Sequence, residues 1–215
     1  MLTITEELYL LAIDEDKGTV VKSANQALNY ALAGAILADL ALQNKVASND
    51  KGRLELMDTT ETGDPILDAV LQKMRSSEKP RRSSFWISEI SAKPKKLRRK
   101  IEESLVGKGI LIREDDRFLG IGQAEPGENT VTFKYQIKTG LRAGILATQT
   151  NDLRGLALLG LARSGKLLFL VFTADEQRIA RRRIQEAIVR EALGNATAQT
   201  IEEIDAAVSA CLADA

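Results

Sequence analysis

Histidine is absent from all 215 residues. It is the usual general acid or base near neutral pH and the commonest metal ligand, so Ser-His-Asp and Cys-His catalytic sites are excluded. Cysteine occurs once, as Cys211, so no internal disulfide can form, a zinc site would have to use that thiol and carboxylates alone, and a cytosolic location fits. Aromatic residues are only 4% of the chain, a poor supply for stacking single-stranded bases. The longest apolar runs, at 156–161 and 167–172, fall far short of the roughly 20 residues that cross a bilayer. No basic cluster precedes an apolar stretch at the N-terminus, so no signal peptide is expected. Neither phosphate-loop pattern occurs, and Gly120-Ile121-Gly122 reads as a turn or bulge.

What is present is an ordinary globular composition, 44% hydrophobic and 28% charged. A single folding unit of this size buries roughly 70% of its unfolded surface. Thirty basic and thirty acidic residues cancel overall. Between Lys79 and Lys100, however, nine basic residues stand against Glu89 alone, an excess of eight positive charges. A neutral total therefore conceals a strong local field.

Helical signals dominate. Thr3 and Glu6 form a capping box ahead of Leu8, Leu11 and Ala12. A short hairpin is expected around Gly18. Residues 25–42 carry Leu28, Ala31, Leu32, Ala35, Ile36 and Leu40 at helical spacing, crowded with small residues that let another helix approach. Residues 45–58 read as a hairpin, Asp64-Pro65 as a helix start, 76–84 as a polar linker, and Phe85-Trp86-Ile87 as a short helix with Trp86 as a core anchor. A helix over 93–106 stops at Gly107 and Gly109. A second hairpin follows over 109–122, turning at Asp115-Asp116 and returning through Phe118, Leu119 and Ile121. Val131, Phe133, Tyr135 and Ile137 alternate strictly, which predicts a third hairpin. Helices are expected over 141–148, 152–163 and 173–193, the last with buried Ile179, Ile184, Ala187 and Ile188, and a final helix from Thr200 boxed by Glu203. The fold class is mainly α: one compact helical domain, 1–215, decorated with two or three β-hairpins.

Six of the eight residues 93–100 are basic. The plain reading is a solvated helix; the functional one is a surface for phosphate, because like charges this dense repel unless an anion answers them. That anion is either a phospholipid surface or nucleic acid. In the second case 93–108 would be the recognition helix of a winged helix-turn-helix, with Arg98 and Arg99 as base readers and 109–122 as the wing. Arg178, Arg181, Arg182 and Arg183 are read as an exposed helix side, and Cys211 as inert.

Several motifs together resemble the Golgi phosphoprotein 3 family. Residues 2–11, Leu-Thr-Ile-Thr-Glu-Glu-Leu-Tyr-Leu-Leu, resemble its opening helix, and 31–42, Ala-Leu-Ala-Gly-Ala-Ile-Leu-Ala-Asp-Leu-Ala-Leu, its central helix. Thr62-Gly63-Asp64-Pro65-Ile66-Leu67-Asp68 is similar to its Thr-Gly-Asp turn, with Trp86 beyond, and residues 105–111 and 152–162 complete the order. The resemblance covers nearly the whole chain. It implies a mostly helical domain without enzymatic activity. It also implies phosphatidylinositol 4-phosphate binding at Golgi membranes and an adaptor role that holds glycosyltransferases by short cytosolic tails. The family's head-group pocket uses a tryptophan, an arginine on the central helix and arginines opening a later helix. Those positions fall here at Ala24, Ala33 and near Thr150 and Leu153, with Arg154 one step on. Shortened loops and this altered pocket point to a prokaryotic-type member with a related anionic lipid or a protein tail as partner.

The leading expectation is a cytoplasmic, peripherally membrane-associated adaptor that needs no cofactor or metal. Arg154, Lys22 and Arg142 are the expected head-group contacts. Val20 and Val21 are the apolar wedge, and Lys93, Lys95, Lys96, Arg98 and Arg99 a separate basic patch. A nucleic-acid binder is the second reading. A protein–protein scaffold pairing through an edge strand at 131–137, with an oligomer as its form, is the third.

Overall fold

The computed structural model describes residues 1–15, 17–113, 124–146 and 152–214. Thr3 opens α1 (Ile4–Ala12) through both halves of the expected box: its hydroxyl accepts from the Glu6 N–H at 3.2 Å, and the Glu6 carboxylate accepts from the Thr3 N–H at 2.8 Å. The hairpin expected around Gly18 is reduced to a single antiparallel bridge between Ile13 and Val20, with Gly18 at φ 63°. A 3-10 turn, Lys22–Ala24, then leads into α2 (Asn25–Leu42). From Ala31 to Ala41 every residue of α2 is buried, so it is the axis of the fold and α1, α4 (Ser83–Ser91), α7 (Leu153–Ser164) and α9 (Ala196–Ala213) pack around it. Small residues permit this: a Cβ on Gly34 would meet Val208 of α9 at 2.5 Å and Leu161 of α7 at 2.8 Å.

The hairpin over 45–58 forms as β1 (Val46–Ser48) and β2 (Arg53–Leu56), with Val46 opposite Leu56. Asp64 caps α3 (Pro65–Arg75), accepting from the N–H groups of Ile66 and Leu67 at 2.8 and 3.1 Å. The stretch 76–84 is more than a linker. Arg81–Arg82 forms β3 on the free edge of β2, satisfying main-chain groups there, and Ser83 already begins α4. Trp86 is buried, as expected of a core anchor. Next, α5 (Pro94–Gly107) turns Leu97, Ile101 and Leu105 inward at a spacing of four. Then β4 (Leu111–Arg113) pairs with β5 (Ala124–Pro126), Leu111 opposite Pro126. The turn and return strand expected at 115–121 lie outside the described residues.

Three expectations fail, the last of them the burial of Ile179. The alternation at 131–137 is not a hairpin but part of α6 (Glu128–Leu146). The buried residues there, Thr130, Lys134, Leu141 and Ile145, follow a helical period, while Val131 and Tyr135 are exposed; packing overrides β propensity. The edge strand of the scaffold reading therefore does not exist. Nor does the last helix start at Thr200. Asn195 caps α9, accepting from the Ala198 N–H at 3.0 Å. Thr200 and Glu203 instead turn to β1: the Thr200 hydroxyl accepts from the Ser48 N–H and Glu203 from the Ser48 hydroxyl. Before it runs α8 (Ala174–Ala192), opened by Thr173 and Glu176 as expected; its inward side is Ala180, Ile184 and Ile188, with Ile179 exposed. Buried residues from Ile4 to Val208 form one continuous core. Among the described residues no helix is long and apolar enough to cross a membrane.

Candidate functional site

Helix α5 presents the expected basic surface, with one correction. Because only Leu97, Ile101 and Leu105 face inward, Lys93, Lys95, Lys96 and Arg99 are left exposed and Lys100 half-buried. Of these five, only Arg99 has an ion-pair partner among the described residues, Glu103 at 3.6 Å, and both are exposed. The surface is thus open and cationic.

Arg98 is not part of it. Its guanidinium turns toward the start of α2, where Asn25 and Asn29 stand one helical turn apart. Nε and Nη2 donate to Asn29 Oδ1 at 3.0 and 2.6 Å, and Nη1 and Nη2 donate to Asn25 Oδ1 and O at 2.6 and 2.5 Å. Burial pulls its pKa down, against the pull of the nearby Tyr9 and Glu102. Tyr9 donates to Glu102 beside it, and burial together with that bond pushes the phenol far up. Tyr9, Asn25, Arg98 and Glu102, with Gly18, Thr19 and Val20, line a depression of about 350 Å³. It lies next to Ala24, where the resemblance puts the family's tryptophan. The arginine that the fold delivers to this end of α2 is therefore Arg98, and four of its N–H vectors are already spent on two asparagines.

Arg154 stands elsewhere. It lies close enough to Asp39 to act on its charge, and Asp39 is ten residues beyond Asn29, about 15 Å along the helix. Its guanidinium donates to Glu7 at 2.7 Å and to the Leu2 carbonyl at 2.6 Å. Burial raises the Glu7 carboxyl, with Arg154 pulling against it. Arg142 is likewise committed: it grips Glu176 through two nitrogens at 2.6 and 2.5 Å and reaches the Val171 carbonyl at 3.1 Å. The bidentate bond, with the capping bond from Thr173, holds the Glu176 carboxyl below its usual range. Lys22, in the 3-10 turn, is exposed and has no ion pair among the described residues. The three expected head-group contacts thus lie on three separate elements and do not converge. Both Arg154 and Arg142 tie helices together, because each meets a carboxylate that folding has already half-buried.

The pocket positions of the resemblance are closed as well. Ala24 and Ala33 are fully buried, Leu153 packs against the core, and Thr150 lies outside the described residues. Val20 and Val21, the expected wedge, are half-buried and packed on the core rather than projecting; the bridge to Ile13 holds Val20 down. Among the remaining arginines, Arg183 donates to the carbonyls of Ile145 and Leu146, while Arg182 pairs with Glu186 at 3.8 Å on the exposed side. Cys211 is a free thiol whose pKa burial raises, which lowers its thiolate fraction. Among the described residues no group of three or more Cys, Asp or Glu side chains is placed to hold a metal.

Sequence reasoning missed the clamp on Arg98. The available signal was Asn25 and Asn29, two amide acceptors four residues apart on the first turns of the central helix.

The chain is 28% identical over 137 residues to vacuolar protein sorting-associated protein 74 of Eremothecium gossypii, covering 54% of this chain and 41% of that protein. It is 30% identical over 137 residues to the protein of the same name in Schizosaccharomyces pombe, covering 55% and 40%. The match thus spans less than half the length of either relative. A family profile described as Golgi phosphoprotein 3 (GPP34) matches residues 4–204, almost the full run from α1 into α9, and on that match the chain belongs to the Golgi phosphoprotein 3 family.

Proposed function

We propose that this protein is a non-enzymatic peripheral membrane adaptor that docks on anionic phospholipid head groups and presents its other faces to the tails of membrane proteins. The observation that carries this reading is the exposed row Lys93, Lys95, Lys96 and Arg99 on α5, which faces one weak carboxylate partner. Each basic residue near an anionic membrane contributes on the order of 1 kcal/mol. The names of the relatives speak of vacuolar protein sorting, which favours a role at membranes over a role on nucleic acid. So does Arg98, the expected base reader, whose donors are engaged by Asn25 and Asn29. Because Ala24 and Ala33 are buried without a guanidinium or indole, charge density rather than a shaped phosphoinositide pocket sets the affinity.

The test is vesicle co-sedimentation with phosphatidylcholine alone or mixed with phosphatidylserine or phosphatidylinositol 4-phosphate, at low and high salt. Binding should require an anionic lipid and weaken with salt. The triple variant Lys95→Gln, Lys96→Gln, Arg99→Gln should lose on the order of a hundredfold in affinity. A wild-type chain that shifts duplex DNA but ignores every vesicle would sink the reading.

A further inference from the structure

The cleft between the sheet edge and the start of α4 holds charge that the fold leaves unanswered. Arg53, Lys79, Arg81 and Arg82 line it together with Tyr30 and Phe85, and among the described residues Asp214 is the one carboxylate in its lining. Its volume, about 670 Å³, falls among small-molecule sites, which span roughly 300–1,000 Å³. None of the four cations has an ion-pair partner among the described residues.

Three independent features work against an empty cleft. The register of the sheet sets Arg53 directly opposite Arg82, and like charges facing each other across an antiparallel pair repel. Arg81 lies with its guanidinium carbon 5.1 Å from the centre of the Phe85 ring, while its Nε is buried with no hydrogen-bond partner. Finally, α4 begins without a side-chain cap and without an acidic residue in its first turn. Its leading N–H groups therefore lack intrahelical acceptors and present the positive end of the helix dipole, and Ser84 and Phe85 of that turn line the cleft. Each feature is relieved by the same thing, an oxyanion.

We propose that this cleft binds a phosphate monoester. Guanidinium forks from two strands, an unpaired Nε–H and an uncapped helix start offer more donors than the two oxygens of a carboxylate accept, whereas a phosphate dianion brings three terminal oxygens. Arg81 and Arg82 hold those oxygens with the first turn of α4, Arg53 and Lys79 complete the charge, and the organic remainder of the ester lies against Phe85 and Tyr30. The site shares no lining residue with the α5 surface and stands independently of the membrane-docking reading.

The experiment is calorimetric titration with inorganic phosphate and with glycerol 3-phosphate at fixed ionic strength, and flotation with phosphatidylcholine vesicles with and without phosphatidic acid. The wild type should bind at least one phosphate-bearing probe. The variant Arg81→Gln/Arg82→Gln should bind at least about tenfold more weakly, while Lys95→Gln/Lys96→Gln on α5 should keep full affinity for glycerol 3-phosphate. The unliganded Arg81→Gln/Arg82→Gln chain should unfold no earlier than wild type, because a repulsive cross-strand pair is gone. If that chain does not fold, Arg53→Gln/Lys79→Gln, both on exposed residues, should show the same loss. Binding of glycerol 3-phosphate makes the ligand a soluble ester. Binding only to phosphatidic acid vesicles, with the binding left in the Lys95→Gln/Lys96→Gln chain lost when Arg81 and Arg82 are replaced as well, makes it a lipid head group. No binding of any phosphate probe by the wild type, or equal binding by the cleft variants, overturns the proposal.

Discussion

Arginine is used in two ways in this chain, and the difference lies in what each guanidinium meets. Arg154 meets Glu7, whose side chain is 15% exposed, and the Leu2 carbonyl. Arg154→Ala would leave both acceptors without a donor, one of them a half-buried charge. The expected loss is about 2–3 kcal/mol, read by urea denaturation, with vesicle affinity unchanged. Arg154→Lys should recover only part, because an ammonium cannot reach Glu7 and Leu2 with the geometry of a planar fork. Intact stability with collapsed vesicle binding would instead return Arg154 to the head-group role that its place near the start of α7 suggests from sequence. Nothing in the order of residues separates the two roles; Glu7 lies 147 positions away, and only the crossing of α1 and α7 brings it near.

At the scale of elements, the crossing of α2 with α7 and α9 is the tightest part of the fold. Gly34→Ala adds one methyl that would stand 2.5 Å from Val208 Cγ2. Overpacking of this kind costs about 1–3 kcal/mol, against about 1 kcal/mol of helix propensity regained. A net fall of up to about 2 kcal/mol is expected, and Val208→Ala should absorb part of it, so that a double-mutant cycle shows favourable coupling. Additive effects would mean the two helices separate freely. The residues that make this crossing are also the ones that made α2 legible: a run of Ala, Leu, Ile and Gly with no charge from Ala31 to Ala38 has one reading, and its bounds were found to the residue. Capping chemistry placed α1, α3 and α8 equally well. The first half of α6 was misread because its inward side there is polar, whereas the helix expected over 141–148 is the second half of the same element as far as Leu146. Lys134 is buried there, donating to the Ile13 carbonyl at 2.6 Å and pairing with Glu15 at 2.9 Å, so the hydrophobic pattern that remained, exposed Val131 and Tyr135 with half-buried Phe133 and Ile137, happened to alternate. Thr200 and Glu203 carried the spacing of a capping box but spend it on β1, a partner more than 150 positions away. Local chemistry was readable wherever both partners were local. The candidate site was readable as a zone of charge, but not as individual contacts, because the fold alone decides which of nine neighbouring cations face solvent, a helix or a cleft.

At the scale of the whole molecule, cations without ion pairs gather on two surfaces, while the carboxylates drawn inward include Glu6 and Glu7, paired with Lys108 and Arg154. Cations crowd the α5 surface and the β3–α4 cleft, while a set of carboxylates is drawn inside near the start of α1. Asp39 is 5% exposed and accepts from the N–H groups of Ile4 and Thr5 at 2.9 and 3.1 Å and from the Thr5 hydroxyl at 2.9 Å, so a carboxylate of the central helix serves the free N-terminal groups of α1. Burial nevertheless pushes its pKa up to about 6, against those donors and the charge of Arg154. Glu6, the residue after Thr5, goes the other way: its bonds to Lys108, Ser104 and Thr3 outweigh its burial and hold it below the usual range. These shifts have opposite consequences. Between about pH 4, where an unfolded aspartate titrates, and about pH 6, the folded chain keeps a proton on Asp39 that the unfolded chain has released. Asp39 therefore lowers stability as the pH rises through that window, by on the order of 2–3 kcal/mol. Glu6 contributes stability above its ordinary pKa and loses it only in stronger acid, as the pH falls through its depressed value. Comparing wild type with Asp39→Asn isolates the first effect, since every other group is common to both. Guanidinium denaturation across pH 4 to 7 should show the wild type losing ground to the variant as the pH rises toward 6, then holding a constant difference above it. A difference that stays flat across the range, or that grows in favour of the wild type, would mean that the donors from Ile4 and Thr5 hold Asp39 ionised throughout, and that the carboxylate caps α1 without a protonation cost.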